Sequence, residues 1–277
     1  MKINKHIPFR IDEHPQFVSY LSRNGIAFQR GDIISSLDIY ECDPHWPDIA
    51  EYVQSRKMMC LSETTFSKKE LSSAQWLTIR SKWRNGYPQP ERAFGYQSIT
   101  YSDENYCKEC GTGLIQTDAF RMKAAPKWGS RHFMMLNWVE DELFVDDVAK
   151  SVLQGCGITG VSFREVKNQK GTEILPGVEQ LIIPYILQPG IVAERCSIDK
   201  IFECTSCGIP KYHPTGIGMH AFKREIFEKA PDIVKTGEVF GWGHSAPRKI
   251  IVSQKIYRTI IENHLDRGLV FMPVELV

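Results

Sequence analysis

A chain of 277 residues is long enough to bury a core without disulfide support, and 42% hydrophobic with 24% charged residues excludes wholesale disorder. Lysine and arginine total 34 against 33 acidic residues, a net charge of +1, so no whole-protein field steers the chain to nucleic acid or an anionic membrane. The opening MKINKHIPFRIDEHPQF has no apolar core of a secretory signal, and the longest apolar run, Leu181 to Leu187, is too short for a bilayer and contains Pro184.

The expected fold class is α+β, an N-terminal α+β domain over residues 1–105 followed by a duplicated domain over 106–277. In the first part, Pro47 suits the first turn of a helix whose Ile49, Tyr52 and Val53 share a face. A second helix is expected from Ser67, where Ser67 and Glu70 form a capping-box pattern and Leu71, Ala74, Leu77 and Ile79 follow at roughly helical spacing. The Pro- and Gly-rich RNGYPQPERAFG ends it, and a strand is expected at Tyr96 to Tyr101. Leu181 to Leu187 reads as a buried strand with a kink or edge at Pro184.

From Cys107 the chain compares well with itself. CKECG is followed by LFVDDVAKSVLQGCGITGVSFREV, Leu143 to Val166, and CTSCG by IIVSQKIYRTIIENHLDRGLVFMPV, Ile250 to Val274. With Val145 set against Val252, one inserted residue brings Gly160 and Gly268, Phe163 and Phe271, and Val166 and Val274 into register. Each copy predicts a knuckle, a middle of differing length, then strand, helix capped by Asp146 or Ser253, glycine break and strand. Repeat one is placed at 107–166, a connector at 167–203 and repeat two at 204–277.

A CxxCG turn presents two sulfurs toward one point, and its glycine permits the positive φ that lets backbone amides approach them. Two such turns supply Cys107, Cys110, Cys204 and Cys207, the ligand set of one closed structural zinc ion. A CxxC pair also serves thiol–disulfide chemistry, and both that reading and unmetallated thiols stay open. His213 is the reserve ligand should one cysteine fail to reach; Cys42, Cys60, Cys156 and Cys196 have no partner at ligand spacing. The expected compartment is the cytoplasm, where cysteines stay reduced.

No catalytic motif stands out, and the chain is not read as an enzyme. The acidic run Glu140 to Asp147 reads as a solvated face or a helix-start cluster, and His132 and His220 as packing residues. Trp128, Trp138, Trp242 and His244, in stretches that differ between the copies, are the candidate partner-binding residues. Lys123, Lys127 and Arg131 around Trp128 offer the alternative of a small phosphate-binding patch in a zinc-ribbon-like nucleic-acid module.

The two CxxCG motifs about a hundred residues apart, with the endings GVSFREV and GLVFMPV, resemble the double-CxxCG-motif family of bacteria, many of them immunity proteins of contact-dependent or polymorphic toxin systems. The resemblance covers residues 106–277. It implies a zinc-stapled protein whose partner is a cognate toxin, while the N-terminal hundred residues depart from the family pattern.

Overall fold

The computed structural model describes residues 1–214 and 216–277, with residues 199 and 200 by backbone alone. It is mixed α+β, 21% helix and 31% strand, as the sequence pattern predicts. None of the described helices is long and apolar enough to cross a membrane.

The chain divides into two compact units, residues 1–67 with 216–218, and residues 68–214 with 219–277. The first contains β1 (Lys2–Phe9), α1 (Pro15–Arg23), β2 (Ser35–Tyr40), α2 (Trp46–Ser55) and β3 (Leu61–Thr65), with an antiparallel sheet in the order β2-β1-β3. Strand alternation turns Ile7 and Phe9 of β1 and Leu37 and Ile39 of β2 to one face. Both helices carry a proline in the first turn and cover that face with Phe17, Leu21, Ile49 and Val53. The expected helix around Ile49 is therefore present, while the expected boundary at 105/106 moves to 67/68.

The reason lies in the residues after Ser67. The helix expected through Ile79 stops as α3 (Lys68–Ser73), and Trp76–Ser81 is instead a strand, β4. Leu77 and Ile79 are two apart, the strand period, and both enter the central core, so tertiary pairing overrides the capping signal. Likewise the strand expected at Tyr96 to Tyr101 is α4 (Tyr96–Thr100), leaving only β5 (Tyr101–Ser102) extended.

The rest of the second unit runs β6 (Ile115–Gln116), β7 (Arg121–Met122), β8 (Phe133–Met134), β9 (Leu143–Val145), α5 (Asp147–Gly155), β10 (Ser162–Asn168), β11 (Ile174–Ile182), β12 (Ile198–Glu203), β13 (Pro210–Pro214), β14 (His220–Phe222), β15 (Ile233–Lys235), β16 (Val239–Phe240), β17 (Ile250–Ser253), α6 (Gln254–Glu262) and β18 (Leu269–Leu276). The order in one five-stranded sheet is β7-β10-β11-β9-β8, and in the other β14-β18-β4-β17-β15. The two orders match strand for strand. Phe133 pairs with Val145 as Ile233 does with Val252, and Lys167 pairs in parallel with Arg121 as Glu275 does with Ala221. The equivalence of Val145 with Val252 and of Phe163 with Phe271 thus holds in three dimensions. Asp146 accepts Ala149 N–H at 2.8 Å and Ser253 accepts Ile256 N–H at 3.5 Å, so both helices carry the predicted caps.

The match fixes a different repeat from the one beginning at the knuckle. β4 in one sheet is the counterpart of β11 in the other, since Phe271 opposes Ile79 where Phe163 opposes Leu181. Each half therefore starts at its central strand, residues 76–168 and 174–276, and the stretch read as a connector holds β11 and β12. The central strands are exchanged: β4 lies among strands of the second half and β11 among those of the first. Past its central strand, each chain segment returns to its own half. Met135 N–H donates to Trp83 O and Asn85 N–H to Met135 O, both at 3.0 Å, just as Lys235 N–H donates to Tyr185 O and Leu187 N–H to Lys235 O, both at 2.9 Å. The strand expected in Leu181 to Leu187 ends at Ile182, ahead of Pro184.

One core serves both sheets. Leu77, Ile79, Leu143, Val145, Leu181, Val252 and Phe271 meet Leu153 of α5 and Ile256 and Ile260 of α6, with Phe163 packed at its margin. The opposite faces bury Phe144 and Val166 in one half and their counterparts Ile251 and Val274 in the other. A side chain of this size contributes about 1.5–3 kcal/mol on burial, so the shared core is what makes the second unit one body.

Candidate metal centre

Each CxxCG turn closes a hairpin. The first lies between β5 and β6, which pair Tyr101 with Gln116, and the second between β12 and β13, which pair Glu203 with Pro210. The backbones fold alike: Gly111 N–H donates to Cys107 O and Gly208 N–H to Cys204 O, each at 2.8 Å, with φ of 79° and 69° at the two glycines. A residue with a side chain is strained there, which is why glycine ends both motifs. At Gly111 a Cβ would also stand 2.0 Å from His244 O.

The hairpin tips bring the four sulfurs together, all within 4.8 Å of one another. Cys107 Sγ lies 3.7 Å from Cys204 Sγ and Cys110 Sγ 3.6 Å from Cys207 Sγ. These gaps are far beyond a disulfide bond of about 2.05 Å. They match the sulfur–sulfur edge of about 3.8 Å that a tetrahedral ion with 2.3 Å metal–sulfur bonds requires. The cluster could hold a metal ion, with donors of one soft type suited to zinc or iron.

Neighbouring groups tie the two knuckles to each other. Thr112 Oγ1 sits 3.0 Å from Cys110 Sγ and 3.7 Å from Cys207 Sγ, placing one hydroxyl donor against sulfurs of both motifs. The Glu109 carboxylate accepts from the hydroxyls of Ser206 and Thr205, which hold its pKa below the usual range. Lys211 is fully buried and donates to Cys110 O at 2.9 Å and Gly243 O at 2.6 Å. Burial lowers its pKa, opposed by the charges of Cys110 and Cys204. Desolvation pushes the Cys204 thiol up to about 12, whereas the Ile209 N–H draws Cys207 down to about 7. A metal ion entering the cluster therefore displaces at least one proton near neutral pH.

All four predicted ligands converge, and none of the remaining cysteines joins them. His213 is not called on as a reserve ligand; its ring packs on Trp242, centroids 3.5 Å apart. Trp242 is 63% exposed and His244 is exposed beside it. Trp138 is 41% exposed and packs among Tyr87, Phe94 and Tyr96. Trp128 differs: it is half-buried, its Nε1–H donates to Gly177 O at 2.8 Å, and it packs on Trp83, so it anchors its own loop. In the basic patch, Lys123 pairs with Glu91 at 2.9 Å and Arg131 lies over the Trp83 ring.

The acidic run is not a solvated face throughout. Glu142 is buried, taking Lys235 Nζ at 2.5 Å on one oxygen and Gln180 Nε2 at 3.0 Å on the other. Burial, aided by Asp141, raises its pKa in spite of Lys235, while Asp141 and Glu142 overcome burial to raise that of Lys235. This ion pair joins the two halves, and no local pattern in the sequence announces it. His132 pairs with Asp146 at 2.9 Å, and His220, drawn down to about 4 by burial, is neutral. No protein-family model matches the chain, and no curated protein matches it.

Proposed function

We propose that the four cysteines hold one structural zinc ion and that the protein acts by binding another protein, as an immunity protein binds the toxin it neutralises. The observation that carries the zinc reading is the convergence of two CxxCG hairpins from different halves, with four sulfurs within 4.8 Å. Four thiolates fill a tetrahedral ion completely, so the ion supplies stability and leaves no position for water or substrate. Binding to a site that the unfolded chain lacks appears as folding free energy.

The partner reading draws support from the family resemblance and from what surrounds the centre. The stretches 112–138 and 209–248 carry the exposed Trp138, Trp242 and His244. Trp242 already packs against His213, so it has less freedom to lose on docking. Exposed Tyr87 and Phe94 widen the apolar surface at Trp138.

Two measurements test the reading together. Elemental analysis of the purified chain is expected to find close to one zinc per molecule, and Cys204→Ser to lose it; iron in its place, or full retention in that variant, overturns the zinc assignment. Co-purification with the product of the neighbouring gene is expected in the zinc-loaded state. Binding to generic DNA or RNA that collapses as salt rises would favour the nucleic-acid alternative instead.

A further inference from the structure

Beside the metal centre the second unit encloses a cleft of about 680 Å³, within the range of small-molecule sites. Exposed apolar side chains, Ile115, Trp138, Ile186 and Ile209, stand at its margin. Its wall mixes apolar and polar surface and contains His244 together with six charged side chains from both halves: Glu140, Asp141, Glu142, Arg164, Lys235 and Arg248.

Their pairing is unequal. Lys235 is taken up by Glu142 at 2.5 Å and lies 3.6 Å from Asp141, and Glu140 pairs with Arg84 at 3.4 Å. Arg164 makes one contact, Nη1 to Asp118 O at 3.4 Å, the edge of hydrogen-bonding range. Arg248 directs Nη1 to the carbonyls of Thr236 and Gly237. A guanidinium has five N–H donors, so both arginines keep donors that no group among the described residues accepts. Two partly buried cationic forks therefore face one cleft whose three carboxylates already have cationic partners, Arg84 for Glu140 and Lys235 for both Asp141 and Glu142. Forks of this kind are matched to carboxylate and phosphate oxygens.

The aromatic margin gives a second, independent sign. Trp138 lines the cleft with φ at 68°, a conformation that disfavours a bulky side chain, and neighbouring Phe94 is at 55°. Tyr87 and Phe94 hold the indole at centroid distances of 4.4 and 4.5 Å. Strained residues over-determined by their surroundings cluster at ligand clamps.

We propose that this cleft binds a small organic anion, its carboxylate or phosphate taken by Arg164 and Arg248 and its flat apolar body laid against Trp138 and Tyr96. The site shares Trp138 with the partner surface proposed above but takes a different ligand, and it does not depend on which metal the cysteines hold.

Calorimetric titration of the metal-loaded full chain with phenyl phosphate, adenosine monophosphate and phenylacetate tests it, with adenosine and phenylacetamide as neutral counterparts. At least one anion is expected to bind below roughly 1 mM, about tenfold or more tighter than its neutral counterpart; the phosphate and carboxylate arms identify the head group. Arg164→Gln, which removes one weak internal contact, is expected to weaken that anion about tenfold with metal content unchanged. Arg248→Lys is the second variant, keeping charge while losing the fork. No anion binding up to 10-fold above that limit, neutral counterparts binding equally well, or wild-type affinity in both variants would overturn the proposal.

Discussion

Stripping the metal from the four-cysteine centre is expected to destabilise the second unit and spare the first. The ligands come in pairs separated by 97 residues, so an unfolded chain seldom assembles the full set and binding favours the folded state. Free metal at 1,000 times its dissociation constant stabilises such a state by about 4.1 kcal/mol. The second unit has roughly 200 residues, a size at which each kcal/mol moves the melting temperature by about 2–4 °C. Scanning calorimetry with and without a strong zinc chelator should therefore show its transition fall by about 8–16 °C. The transition of residues 1–67, which hold none of the four ligands, should stay in place. The gap should also narrow as the buffer is acidified, because protons and metal compete for the thiols and Cys204 holds its proton until about 12. A second-unit transition that moves by less than about 2 °C, or a gap that widens in acid, would refute the reasoning.

The knuckle glycines should respond unequally to alanine. Gly208 has open space and only its φ of 69° to strain, about 1 kcal/mol, whereas at Gly111 the new Cβ would strike His244 O at 2.0 Å, so Gly111→Ala should lower zinc affinity measurably more in competition with a chromogenic chelator. Lys235→Met strands Glu142 in the interior and should cost about 3–5 kcal/mol at neutral pH by denaturant titration. Glu142 already has a raised folded-state pKa, and losing Lys235 raises it further. The folded state then holds more protons than the unfolded, so the penalty grows as pH rises from the unfolded carboxylate value to the folded one and shrinks below that window. Trp242→Ala should cost partner binding about 2 kcal/mol or more, some thirtyfold, with zinc content and melting unchanged; unfolding would make the indole a structural residue.

The sequence is most readable where a constraint is local. Two CxxCG turns need their glycines, and Asp146 and Ser253 cap helices of matching pattern, so the knuckles and the strand–helix–strand units can be read from spacing alone. β4 is obscure because Ser67 and Glu70 announce a helix that its neighbours β17 and β18 interrupt, and no local signal states which distant strands will pair. With β4 taken for helix, its kinship with β11 is hidden, and the repeat appears to begin at the first cysteine. Lys211, Glu142 and Lys235 escape for a different reason. A buried charge is intelligible only beside its partner, and these partners lie 32 to 101 residues away.

The exchange of β4 and β11 makes neither half self-sufficient. Cut at the turn of residues 169–172, the chain would give two fragments, each lacking the middle strand of its own five and each carrying that of the other. Such pieces can close their sheets only by embracing, and two of the four sulfurs would arrive with each. It is the arrangement of a strand-swapped dimer about a shared four-cysteine cluster, written on a single chain. Trimming the protein to the part that begins at the first knuckle would accordingly remove β4, the centre of the second sheet, along with the first unit.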